Sequence, residues 1–428
     1  MSPSTDLSFA PLSDTFAQDP YPFYAALRER KGLTYFEDFD IWLAAKFDDV
    51  SEIVQNGKMV RSMDHIASAE EIADMKRAQN WHDMPHHSRF VQFSLLDSDG
   101  DIHDRLRKQV FRLFTPVMVG KLRDDIQAYV DRLFDSLSDR TEIDFIEDLA
   151  AHVPGHIIGR VLGVPDEDCP QLRIWSENIV QYFDIDRTDE RKALAERNTT
   201  EFYRYLQTLK AERERAPQDD LLSLMIEAER AGQMNEDEFI STAMLILMAG
   251  HGSTIDVLGS GMHALLKFPK ELQRLREDPS LMKTAVQEMF RYESPLPFFH
   301  RYSTEDMTVC GDTYPRGTKF GVLYGAANRD PGQFPDADRF DVGRTPNWHI
   351  AFGRGAHFCL GNHLARLDID IIFSTLLKRF STIELIDDNV TYKRKMVTLK
   401  TAFERRDGKV FSTRVIANEV IDEAETPF

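Results

Sequence analysis

The segment from Asn235 to about Phe268 constrains this chain more than any other stretch of its sequence. Its apolar residues recur at helical spacing. Asn235 suits an N-cap, Glu238 stands where the returning carboxylate of a capping box belongs, and Pro269 stops the run. A helix of about 33 residues is roughly 50 Å long, enough to cross a whole domain. Its apolar middle (AMLILMAG, residues 243–250) predicts burial along much of that length. The rest of the chain must wrap around this rod. With 428 residues, 42% hydrophobic and 29% charged, there is ample material to do so, and neither a disordered nor a fibrous chain has this composition.

Helical spacing also marks Pro20 to Lys31, Asp101 to Phe114, Leu122 to Leu137 and Asp219 to Ala231. Strand signals are shorter: Ile41 to Ala45, Met307 to Val309, Lys319 to Tyr324 and Val397 to Phe403, separated by Gly, Pro and Asp turns. Phe334 to Asn347 follows neither period and reads as a long ordered loop. No Pro-, Ser- or Gly-rich spacer, long charge run or fixed-period repeat divides the chain. One domain over residues 1–428 is expected, mainly α with small peripheral β-sheets.

Acids outnumber bases 71 to 52, a net charge of -19, which sets the chain against nucleic-acid backbones and anionic lipid. Three scattered cysteines, Cys169, Cys310 and Cys359, suit a reducing compartment rather than a disulfide scaffold. No basic flank followed by an apolar run opens the sequence. The most apolar internal stretch, Ile240 to Gly250, is about half the length of a membrane span. A cytoplasmic protein is expected, with neither nucleic acid nor membrane as a partner.

For chemistry the most informative stretch is Phe352 to Arg366, FGRGAHFCLGNHLAR. Gly353 and Gly355 permit a tight loop with close backbone approach to a flat or bulky group, and Asn362 to Arg366 reads as helix. A cysteine just ahead of a helix N-terminus meets free N–H groups and the positive end of the dipole. Both favour the thiolate, the form that binds metal; a buried structural cysteine is the other reading. FGRGAHFCLG resembles the haem-binding loop of the cytochrome P-450 family. The resemblance implies that family's fold, with haem b (iron protoporphyrin IX) held between the long central helix and the cysteine loop-helix. It makes Cys359 the axial ligand of the haem iron, packs Phe352 near the thiolate and brings His357 to a haem propionate.

Other motifs resemble the family independently, and the likeness runs from about Pro20 to Phe403. Glu288 and Arg291 lie three apart on one helical face in QEMFRYESP. Alone they read as a surface ion pair; the resemblance makes them a buried structural pair joined by Arg344 from the loop before the cysteine. Ser294-Pro295 and Asn328-Arg329-Asp330-Pro331 follow at the family's distances. His103 and Arg107, four apart in DGDIHDRLRKQVF, project from one helical turn and suit a carboxylate clamp. The resemblance assigns them, with Arg301, to the haem propionates.

The centre of the long helix departs from the family. It reads Ala249-Gly250-His251-Gly252-Ser253-Thr254, where most members carry an acid at the place of Gly252 and Thr at the place of Ser253. That pair delivers protons for O–O cleavage. Three readings stay open. Protons travel through Ser253 and ordered water, with Thr254 as a second hydroxyl and the helix locally opened near Gly250 and Gly252. Or Asp256, one turn on, is a displaced acid. Or the substrate supplies a hydroxyl, or the enzyme handles peroxide or an oxygenated substrate. His251 titrates near neutral pH when unperturbed and belongs to the same candidate group, although satisfying a backbone group is its plainer reading.

By position, Met244, Leu247 and Met248 of the long helix, with Leu296, Phe298 and Phe299 after Ser294-Pro295, are expected to wall a substrate pocket. The loop at 62–93, including Trp81, Met84, Phe90 and Phe93, is expected on its distal side. Met84-Pro85-His86-His87 reads as a surface turn. No Gly-rich nucleotide loop appears. Electrons from NAD(P)H are therefore expected through a separate ferredoxin-type donor and its reductase, docking near Lys108, Arg112 and Arg366. The expected activity is that of a haem-thiolate monooxygenase. It would insert one oxygen atom from O2 into a small apolar or aromatic organic substrate, by hydroxylation or O-demethylation. A peroxide-dependent or isomerising haem-thiolate enzyme, and a non-catalytic haem-thiolate sensor or binding protein, are the alternatives.

Overall fold

The computed structural model describes residues 9–11, 13–140, 142–183, 187–385 and 414–417. The strand expected at Val397 to Phe403 lies outside them. Five helices position the site: α1 (Gly100–Phe111), α2 (Val153–Leu162), α3 (Glu236–Lys267), α4 (Met282–Tyr292) and α5 (Asn362–Arg379).

The rod is α3, 32 residues long. Its start is fixed as the sequence requires: the Asn235 side chain accepts from the Glu238 amide and the Glu238 carboxylate from the Asn235 amide, both at 2.9 Å. Arg105 of α1 then forks onto the same carboxylate, at 2.6 and 3.0 Å, and ties the two helices together. By length and hydropathy α3 is a candidate to cross a membrane, which corrects the shorter span read from Ile240 to Gly250. However, 78% of its apolar window is buried inside the fold. Small residues at the contact let its neighbour approach. A Cβ on Gly250 would meet Ile158 of α2 at 2.7 Å, and one on Gly155 would meet the His251 ring at 3.2 Å. Glycine at both places allows α2 and α3 to pack backbone to backbone.

Strands β1 (Thr34–Phe36), β2 (Ile41–Ala44), β3 (Met59–Val60), β4 (Phe298–Ser303) and β5 (Lys319–Leu323) form a sheet ordered β1-β2-β5-β4-β3. Only the β2–β5 pair is parallel. A hairpin joins Met307–Val309 to Asp312–Tyr314. A small sheet has Arg414–Ala417 between Glu142–Asp144 and Ile383–Leu385.

The expected helices at the amino terminus, after α1 and before α3 occur as Tyr21–Arg28, Arg123–Ser136 and Leu221–Arg230. The helix expected over Asp101 to Phe114 tightens into a 3-10 turn at Arg112–Phe114. Residues 62–93 are not a loop: they hold helices Ala69–Ala78 and Pro85–Gln92. Residues 334–347 contain no helix or strand and are pinned from α4. There Glu288 and Arg291 form a two-bond pair (2.7 and 2.8 Å) with both side chains fully enclosed, so it is not a surface pair. Arg291 also donates to the carbonyls of Asn328, Ala337 and Arg339, and Arg344 donates to Glu288 at 3.1 Å.

Candidate active site

A cavity opens between the middle of α3 and the loop that starts α5. The loop is shaped by its glycines. Gly353 and Gly355 have φ of 67° and 72°, a region that side chains disfavour. A Cβ on Gly355 would also strike the Val54 carbonyl at 2.7 Å. The Cys359 amide donates to the Phe352 carbonyl at 2.9 Å, and Arg107 of α1 donates to the Phe358 carbonyl at 2.6 Å. Cys359 lines the cavity with Phe352 and Phe358. Burial pushes its thiol up, while the Gly361 amide, Arg366 and Arg107 pull the other way. Helix-end electrostatics alone therefore leave the thiol protonated, and a metal ion is the further charge that would hold it as thiolate. Among the described residues no three His, Cys, Asp or Glu side chains converge as metal ligands. A metal here would take Cys359 as a single protein ligand and bring its remaining ligands with it.

One edge of the cavity is cationic. His103, Arg107, Arg301 and His357 all line it. The His103 and His357 rings lie 4.4 Å apart. His357 donates to Asp99 at 3.0 Å, and burial outweighs that bond, lowering its pKa to about 4. Burial likewise lowers His103, against the bond to Asp104. Arg61 joins this edge without any sequence signal, because it stands alone in MVRSMD with no spaced partner. Asp99 is also new: its carboxylate accepts from the Arg61 and Ser62 amides at 2.8 and 3.0 Å, and so ties that segment to His357.

The opposite wall is α3. Gly250, Gly252, Ser253 and Thr254 line the cavity, as do Leu245, Ile246, Met248 and Ala249. Met244 and Leu247 do not; they are buried in the main core, because the lining stripe follows a 3.6-residue period that leaves them on the far face. His251 also faces away. It reaches the Ala151 carbonyl at 3.4 Å, and burial lowers its pKa to about 4, so it is removed from the catalytic group. The helix is continuous through Gly250 and Gly252 rather than opened. Ser253 Oγ donates to the Ala249 carbonyl at 3.1 Å, an i−4 bond that occupies its proton. Asp256 is not among the lining residues. Asp368 of α5 is, unforeseen, and burial raises its carboxyl well above the usual range.

Across from α3, Leu296 and Phe299 line the cavity while Phe298 does not. Successive residues of β4 point to opposite faces, and Phe298 packs into the amino-terminal core with Ile41 and Leu43. Nor do Trp81, Met84, Phe90 or Phe93 reach the cavity; Leu95 and Leu96 do instead. Trp81 packs among His87, Tyr182 and Phe183, edge-on to the last two. Helix Pro85–Gln92 is held at its start by Glu196, which accepts from the His86 and His87 amides at 3.1 Å each. The His86-His87 turn is therefore a helix-docking point, with His87 buried. Of the expected basic patch, Lys108 and Arg112 are exposed. Arg366 turns inward, its guanidinium 4.3 Å from the Phe352 ring and bonded to Asn362, where it supports the cysteine loop.

A half-enclosed apolar space, one thiol and a rim of carboxylate-seeking cations suit a flat metal macrocycle that carries acid groups. Comparisons with known proteins agree. The sequence model of the family Cytochrome P-450 matches residues 170–402. The biotin biosynthesis cytochrome P-450 of Bacillus subtilis is 33% identical over 92% of this chain and 98% of its own length. The polyketide biosynthesis cytochrome P-450 PksS of the same organism is 32% identical, over 91% and 96%. The crystal structure of P-450BioI in complex with hexadec-9Z-enoic acid ligated acyl carrier protein superposes with a TM-score of 0.85, at 29% identity, covering 95% of this chain and all of that one.

Proposed function

The chain belongs to the cytochrome P-450 family, and on that premise we propose what it does and which residues do it. As a family member it is an oxidoreductase that incorporates oxygen from O2, with haem b as cofactor and electrons drawn from NAD(P)H through partner proteins. The reaction proposed is insertion of one oxygen atom into an apolar organic substrate, by hydroxylation or O-demethylation. The electron donor is a ferredoxin-type protein that docks near Lys108 and Arg112. The chain works as one catalytic unit in the cytoplasm.

A single observation carries this reading: Cys359, the cationic edge and the hydroxyl-bearing turn of α3 all face one cavity. Cys359 Sγ would hold the haem iron, and His103, Arg107, Arg301 and His357 would hold the propionates. When bound, haem b supplies the activation of O2. The protein's own residues do the rest. Leu245, Leu296 and Phe299 enclose the substrate and keep bulk water out. Ser253 Oγ has lone pairs free to accept from an ordered water, and turning its O–H from the Ala249 carbonyl toward the cavity would let it give up its own proton in exchange, with Thr254 beside it. The solved relative bound to an acyl-loaded carrier protein makes acyl chains the first substrates to try. The test is turnover with NADH, reductase, ferredoxin and isotopically labelled O2. Label in the product supports the reading; reducing equivalents consumed across an acyl and polyketide panel with no oxygenated product would sink it.

Gly252 favours one second reading, a peroxide-dependent enzyme, because no acid stands there to deliver protons. Product yield with hydrogen peroxide alone, set against the reductase-driven yield, separates the two. Gly252→Asp is expected to speed the reductase-driven route several-fold, within the range of a positioned acid. An unchanged rate would show that Ser253 and water already suffice.

A further inference from the structure

Arg61 follows β3, and its side chain is 1% exposed while lining the cavity. Its Nη1 donates to the His300 carbonyl at 2.9 Å. Arg301 Nη1 donates to that same oxygen at 2.8 Å, so two guanidinium groups converge on one acceptor. The Phe299 ring covers Arg61 at 5.1 Å. Its other donors, Nε and Nη2, have no hydrogen-bond partner. The nearest acid, Asp97, stands 3.6 Å from Nη2, beyond hydrogen-bond reach. Asp99 is committed elsewhere, to the Arg61 and Ser62 amides and to His357. Burial and the Arg301 charge lower Arg61 to about 10, which leaves it charged at neutral pH. A buried cation with open donors beside a like charge is costly unless an anion completes it, and a planar guanidinium is shaped for a carboxylate.

We propose that Arg61 is a carboxylate-binding residue of this cavity, receiving one carboxylate jointly with Arg301. A haem propionate is the source the geometry favours, because Asp99 joins the Arg61 backbone directly to His357 of the cysteine loop. A carboxylate on the substrate is the other source. The inference rests on the chain's binding haem and is independent of the substrate and reaction proposed above.

The test compares the haem-loaded full chain with Arg61→Met and Arg61→Lys, each reconstituted with haem b and with the haem dimethyl ester. Haem loss to excess apomyoglobin is timed. Arg61→Met is expected to release haem b about ten-fold faster, the scale of one charge-assisted hydrogen bond, with Arg61→Lys in between. All three proteins should release the diester alike. In a parallel arm, spin-shift titrations compare a long-chain fatty acid with its methyl ester. Unchanged haem loss with a roughly ten-fold fall in acid-over-ester preference would support the carboxylate site and assign it to the substrate. Faster loss of both haem forms equally, or no change in either arm, would overturn the proposal. If the Met variant does not fold, the Lys variant carries the same comparison.

Discussion

Glu288 sits fully enclosed within α4 with five donors around it: two from Arg291, one from Arg344, and the Asp341 amide and Asn347 side chain at 2.9 and 3.1 Å. Removing one partner of such a pair strands a buried charge. Arg291→Met is expected to destabilise the fold by about 3–5 kcal/mol, read as a lower midpoint in denaturant unfolding; an unchanged midpoint would mean that Arg344, the Asp341 amide and Asn347 together satisfy the carboxylate. The Glu-x-x-Arg spacing was legible, but the acceptors of Arg291 were not, since they are backbone carbonyls of an irregular segment, which no side-chain pattern reports. His251 carries a second prediction. Its pKa is lowered from the free value near 6.5 to about 4 by burial. Between those values the unfolded chain binds a proton that the folded chain refuses. Stability should therefore fall as pH drops from about 6.5 to about 4, by about 1.4 kcal/mol per unit, with no contribution above 6.5. Unfolding free energies across that range check the slope, and His251→Gln should flatten it by this amount.

Among the elements, the packing of α3 on α2 decides which side chains reach the cavity. Gly250 faces both ways, its backbone on the cavity wall and its missing side chain against Ile158. Gly250→Ala gains helix propensity of up to about 1 kcal/mol, yet forces a methyl into 2.7 Å contact. A net loss of about 1–2 kcal/mol is expected from overpacking. Thermal unfolding measures it, and Ile158→Val should recover much of it in a double-mutant cycle. A glycine read from sequence as a place where the helix opens is thus a place where two helices close. The helix itself was readable from its caps and period. Which face of it lined the cavity was not, because α3 is buried nearly all round and a uniformly apolar helix has no preferred side. The same limit applied to Phe298 and Phe299, where alternation identifies two faces without saying which one meets the site.

Over the whole molecule, the cavity draws its wall from segments far apart in sequence, from Arg61 to Asp368, so its occupant ties them together. Haem removal is expected to lower the unfolding temperature, since a ligand held only by the folded state stabilises it by mass action. Hydrogen exchange should speed most in the cysteine loop and around Arg61 and Ser62; uniform exchange in both forms would count against a site that closes around its cofactor. The family was legible because its motifs are short and local. The cationic edge was legible where a helix spaces its members, as with His103 and Arg107, or where a family motif marks them, as with Arg301 and His357, and not where Asp99 gathers segments that are remote in sequence.

That gathering has a consequence for how the protein is made. Arg107 meets the Phe358 carbonyl 251 positions away, and His357 meets Asp99 across 258. Chains emerge and fold from the amino terminus, so these residues wait for their mates until the cysteine loop has been made. A nascent chain stalled before the cysteine loop would lack the ligand proposed for the cofactor. On the proposed site, haem capture would therefore wait until the cysteine loop has been made.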